Sequence, residues 1–344
     1  MKILESDLDK ASQNGIITQV QVTQLWNFLS SQRPEDARMR GLHVTYYLGG
    51  ILILASMSWF LTTAWNNGGA IMAISGVFAL LYFLIGKSLW RKSNLQIPGG
   101  LLITAAVGLT PVFIYGFQKT TGLWPSGNPG SYANYHMWVK GSWLFMELGT
   151  ILSAVIALRF FKFTFISFPL ALTLWYMSMD LTPLIFGKHE WGWDERKMVS
   201  CIFGFLMLAG SYFIDRKYKK NDFAFWTYLY GMLAFWVGLT FMDSYSELSK
   251  FMYGLLNVGF VFLSVYFRRK VFIVFGSLGV MVYLTHLAES VFKGSYSFPI
   301  VLSLLGLLIV FLGVKYQQNH KRFELMIEKS LPSFLVKWRP VNRA

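Results

Sequence analysis

One cysteine in 344 residues, Cys201, leaves no intramolecular disulfide to form and gives no reading of the redox compartment. Charge is scarce too: Asp, Glu, Lys and Arg make up 14% of the chain, against about 25% in an ordinary soluble domain. There is no P-loop, HExxH, G-x-S-x-G elbow or Cys/His spacing suited to a metal. His43, His136, His189, His286 and His320 are scattered, and only His286 lies well inside an apolar run, so a pair of haem ligands has no second member. No metal or cofactor is expected. The first 42 residues lack the basic, apolar and small-residue regions of a secretory signal, which predicts insertion without cleavage.

Apolar sequence is abundant. Hydrophobic residues are 54% of the chain and come in repeated runs of about 20, the length that crosses hydrocarbon as a helix. The fold expected is therefore all-α, a polytopic integral membrane bundle. Ten spans are expected, at about 43–65, 68–89, 98–117, 141–160, 163–187, 197–214, 223–242, 251–267, 271–293 and 297–315. The connections between them alternate in charge: 24 of the 31 Lys and Arg residues fall on the side that receives both termini, and 7 on the other. By the positive-inside rule that puts both termini in the cytoplasm. The same rule accounts for the net charge of +14, which sits in short clusters at span ends and does not call for nucleic acid.

Residues 1–42 read as a cytosolic helical hairpin. Leu4, Leu8 and Ala11 give one helical face, Asn14-Gly15 a turn, and Val22, Leu25, Trp26 and Leu29 a second face, while Thr18 and Gln21 fit a capping box. Too short for a core of its own, the hairpin is expected to pack on the membrane domain (43–315) or to bind a cytosolic protein partner. Residues 316–344 form a basic amphipathic tail. Phe323, Met326, Ile327 and Leu331 make an apolar stripe flanked by Lys321, Arg322 and Lys329, a pattern that lies on anionic lipids of the bilayer.

The hairpin residues Gly15-Ile16-Ile17-Thr18, Gln21 and Leu25, with the glycine-rich first span (Gly49, Gly50) ending in Ala64-Trp65-Asn66-Asn67, resemble a family of predicted bacterial membrane proteins, domain of unknown function 2157. The resemblance covers about the first 70 residues. Family members tend to carry an acidic residue after the Trp motif, where this chain has the neutral Asn66 and Asn67. The resemblance implies a bacterial inner membrane and no known activity.

Carboxylates inside apolar runs are costly and need a reason. At 1.5 Å per residue, Glu147 lies about 9 Å inside the outer end of its span, Asp180 and His286 about 10 Å, and Glu289 about 6 Å. Thr110-Pro111 and Pro183 free backbone carbonyls at a similar depth. One reading is an outward polar site for a proton, a cation or a headgroup. The other is that the spans end earlier, Asp180 sits at the interface and Glu147 bonds a neighbouring Trp or Ser. Two outer loops, 119–140 and 188–197, carry Trp124, Tyr135, His136, Trp191, Trp193 and Asp194. Such residues stack on sugars or headgroups, or form the aromatic belt that anchors any membrane protein. Three function classes follow: a transporter or lipid-handling protein, a non-catalytic envelope scaffold that recruits cytosolic partners, and a membrane transferase acting on lipid-linked substrates.

Overall fold

The computed structural model describes residues 5–31, 67–124, 132–186, 193–218, 221–244 and 246–291, with isolated helical positions between 45 and 60 and between 299 and 318. The expected spans 43–65 and 297–315 and the tail 316–344 otherwise lie outside the described residues, as do Trp65 and Asn66. The chain divides into two compact units, Met1–Thr63 and Ala64–Ala344.

The first unit contains α1 (Glu5–Gln13) and α2 (Gln19–Ser31). Gly15 turns the chain between them at φ +70°, a backbone conformation that glycine adopts without a Cβ clash. The capping box forms as its residues dictate. Thr18 N–H donates to Gln21 Oε1 at 2.8 Å, and Gln21 N–H donates to Thr18 Oγ1 at 3.3 Å. Val22 is buried in this pair.

The second unit contains α3 (Gly68–Trp90), α4 (Gln96–Gly108), α5 (Thr110–Thr120), α6 (Tyr132–Phe160), α7 (Ser167–Phe186), α8 (Trp193–Lys217), α9 (Phe225–Thr240), α10 (Glu247–Phe267) and α11 (Lys270–His286). A π turn, Leu287–Val291, follows. The described residues contain no strand. Pro111, in the first turn of α5, has no N–H for the helical ladder, and α4 and α5 meet at Leu109 as one interrupted span.

Among the described residues, six helical stretches are long and apolar enough to cross a membrane: Gly68–Trp90, Ser93–Thr120, Ser142–Phe160, Trp193–Lys217, Glu247–Phe267 and Lys270–Ser290. They match six of the ten expected spans. Two more expected spans, 163–187 and 223–242, are helices of a different kind. The first, α7, carries Ser178, Asp180 and Thr182 in its C-terminal half, and the second, α9, has only 16 residues. Both are enclosed by neighbours: α7 packs against α6, α8 and α9, while α9 packs against α7, α8 and α11. A helix surrounded by protein need not be apolar all round.

The outer helices turn apolar side chains outward. Leu84, Leu152, Phe213 and Phe262 are all more than half exposed, a surface suited to lipid rather than water. Inside, one apolar cluster joins Tyr228 and Met232 of α9 to Phe260 of α10 and Phe272 and Phe275 of α11. A second joins Ile103 and Val107 of α4 to Ala154 and Ala157 of α6 and to Ile166 before α7. The α8–α9 pair is closely packed. A Cβ at Gly204 would run into Phe235 N, and one at Gly238 would lie 2.7 Å from Lys197 O, so these two backbones touch because glycine leaves room.

Candidate functional site

The buried side of α6 follows helical spacing: Glu147, Thr150, Ala154 and Ala157 are all buried. Glu147 occupies the stripe that meets α7, so it faces protein and not lipid. Across from it, α7 presents Asp180. Glu147 is 6% exposed and Asp180 8%, and their carboxyl groups lie within hydrogen-bonding reach of one another. Glu147 Oε1 and Oε2 meet no well-aligned donor among the described residues. Two negative charges this close inside a bundle repel strongly. Such repulsion is relieved when two facing carboxyls share a proton or when a cation sits against them.

The surroundings of the pair are polar on α7, where Ser178 and Thr182 are fully buried and Ser178 Oγ donates to Trp175 O at 2.6 Å. More than a turn along α6, Gln118 of α5, 2% exposed, donates from Nε2 to Ser142 O at 3.0 Å. Gln118 adds a buried amide to this part of the bundle. A lone glutamine near a span end gives little sequence signal, because the same residue is commonplace in a loop.

His286 and Glu289, grouped with the acids by depth alone, have other surroundings. His286 Nε2 lies 2.9 Å from Glu247 Oε2 at the start of α10, and Lys250 Nζ donates to Glu247 Oε1 at 2.8 Å. Glu289 is exposed on the π turn. So the structure brings Glu147 and Asp180 together and places His286 against Glu247.

The aromatic loop residues are likewise dispersed. Trp124 meets the Tyr115 ring edge-on, with centroids 4.6 Å apart. Trp193 is 72% exposed, with the Arg196 guanidinium 5.6 Å from its ring. Asp194 accepts from Lys197 Nζ at 2.9 Å, and the same ammonium reaches Asp243 at 3.0 Å. The side chains of Tyr135 and His136, and all of Trp191, lie outside the described residues.

The opposite ends of the helices hold a charged cluster of Arg269, Asp215 and Asp222. Arg269, between α10 and α11, forks onto Asp215 through Nε at 3.1 Å and Nη2 at 2.7 Å. It also forks onto Asp222 through Nη1 at 2.6 Å and Nη2 at 2.8 Å, and its guanidinium lies 5.2 Å from the Tyr228 ring. Burial works to lower the pKa of Arg269, but the hydrogen bonds and charges of Asp222 and Asp215 prevail and raise it, so the guanidinium stays charged. Asp215 is 2% exposed, so this is a buried ion pair tying α8 to the α10–α11 turn. Among the described residues, no group of three His, Cys, Asp or Glu side chains is placed to hold a metal. Comparison of the chain with protein-family models, with curated proteins and with solved structures finds no match.

Proposed function

We propose that this chain is a ten-span protein of the bacterial inner membrane, with both termini cytoplasmic, that moves or handles a proton, a cation or a polar headgroup at the Glu147–Asp180 pair. The observation that carries the reading is the facing of two buried carboxyl groups from adjacent helices, in the part of the bundle that the charge distribution assigns to the outer half. Acids are placed there at a cost, and proton or cation relays are the common return on it. Purified protein in proteoliposomes loaded with a pH-sensitive dye tests this under an imposed membrane potential. Wild type is expected to carry protons or to couple them to an added cation gradient, and Glu147→Gln to fall to the level of empty vesicles. Equal flux in the two proteins would sink the reading.

A scaffold role is the second reading, and one observation favours it. The N-terminal unit is compact, yet Ile16 and Val20 are 75% and 67% exposed beside its capped helix, an apolar surface suited to a cytosolic partner. Deletion of residues 1–38 with loss of function, while Glu147→Gln has none, would move the assignment to this reading.

A further inference from the structure

A cavity of about 530 Å³ lies where the other ends of α6 and α7 meet the end of α8 and the start of α9. Arg159, Lys162 and Lys217 line it together with the hydroxyls of Ser167, Tyr218 and Thr227. No carboxylate lines it among the described residues, and none of the three cations pairs with one. Among the described residues, Lys217 rests over the Tyr218 ring, at 5.6 Å. At the same end of the bundle Arg269 is neutralised by two aspartates. Topology requires cations at this end of the spans, but it does not require three of them to converge on one cavity without a counter-charge. Like charges gathered in this way repel until an anion joins them.

We propose that this cavity binds the phosphate of an anionic phospholipid headgroup, from the leaflet that this end of the bundle meets. The apolar wall favours a lipid over a free phosphate ester. Val155, Leu170 and Ile214 line the cavity, and Leu152 and Phe213, both 62% exposed, continue the apolar surface along α6 and α8 where an acyl chain would run. The site is independent of the acid pair. It differs from the expected lipid contact of the C-terminal tail in being formed within the helix bundle.

Native mass spectrometry of the full chain in detergent tests it, with phosphatidylglycerol, phosphatidylcholine of the same chains, and inorganic phosphate as separate arms. Phosphatidylglycerol is expected to be retained in preference to phosphatidylcholine. The triple variant Arg159→Gln, Lys162→Gln, Lys217→Gln is expected to bind it about a hundredfold more weakly. The charge-keeping triple variant Arg159→Lys, Lys162→Arg, Lys217→Arg should retain it. Equal retention of the two lipids by wild type, or unchanged phosphatidylglycerol binding in the glutamine variant, overturns the site. Displacement of phosphatidylglycerol by inorganic phosphate at equal concentration overturns the lipid assignment in favour of a soluble anion. Should the glutamine variant fail to fold, wild-type retention at rising ionic strength decides, because a charge-held lipid is released and an acyl-held one is not.

Discussion

Replacing Glu147 by glutamine removes one of two facing acids and keeps the shape of the site. The amide offers Asp180 a donor where the two acids would otherwise need a shared proton or a cation, so the unfolding free energy in detergent is expected to move by no more than about 1 kcal/mol, and upward if at all. A protein kept at the same stability yet stripped of flux is the mark of an acid held for function, whereas a clear loss of stability would make Glu147 a structural residue. Arg269 carries the reverse expectation. Arg269→Gln leaves Asp215 buried without its countercharge and should cost about 3–5 kcal/mol of unfolding free energy. Asp222→Asn should cost about 1 kcal/mol, because Asp222 is 37% exposed and water screens its share of the cluster. Similar losses in the two variants would argue against the burial difference. Glu147 was readable in the sequence because a single acid interrupts a long uncharged run. The Arg269 cluster was not, since Asp215, Asp222 and Arg269 sit at span ends among Lys and Arg that topology already explains, and only the fold pairs residues 54 positions apart.

Two glycines on α8 separate close packing from helix propensity. A methyl group at Gly204 would meet the α9 backbone at Phe235, while one at Gly210 would meet nothing within 4 Å. Gly204→Ala is therefore expected to lower the melting temperature sharply, since backbone and not a flexible side chain must give way. Gly210→Ala should be neutral or stabilising by up to about 1 kcal/mol, the helix preference for alanine over glycine. Equal responses in a thermal-shift assay would mean that α8 and α9 are not in backbone contact. The elements themselves were largely present in the apolar runs, because length and apolarity decide which segments lie in lipid. What the runs conceal is rank in the bundle. A 20-residue window reads 163–187 and 223–242 as ordinary spans, yet α7 and α9 are the enclosed helices, and the polar residues that weaken α7 as a lipid-facing span are the ones that form the candidate site. Depth along a helix was computable from 1.5 Å per residue, but azimuth was not. Depth alone therefore groups His286 with the acids, whereas in the fold it lies against Glu247.

For the whole molecule, charge asymmetry is the property that orients it. The ends of α3, α6, α8 and α10 that meet Arg91, Arg159, Arg216 and Arg268 form one set, and the ends near Lys119, Lys197 and Lys250 form the other. Each is attached to a helix of known direction, so a single labelling pattern tests the orientation of the bundle. Cys201→Ser gives a background without cysteine. On it, Thr121→Cys and Ser244→Cys place exposed thiols at one end, and Asn94→Cys and Tyr218→Cys at the other. In intact cells a membrane-impermeant maleimide is expected to label the first two and to reach the second two only after the membrane is permeabilised. The opposite pattern would invert the molecule and move Glu147 and Asp180 to the inner half. Labelling of one site from each end would break the alternation of α5, α8 and α9, and with it the premise that the acid pair and the Arg159–Lys162–Lys217 cavity face different leaflets.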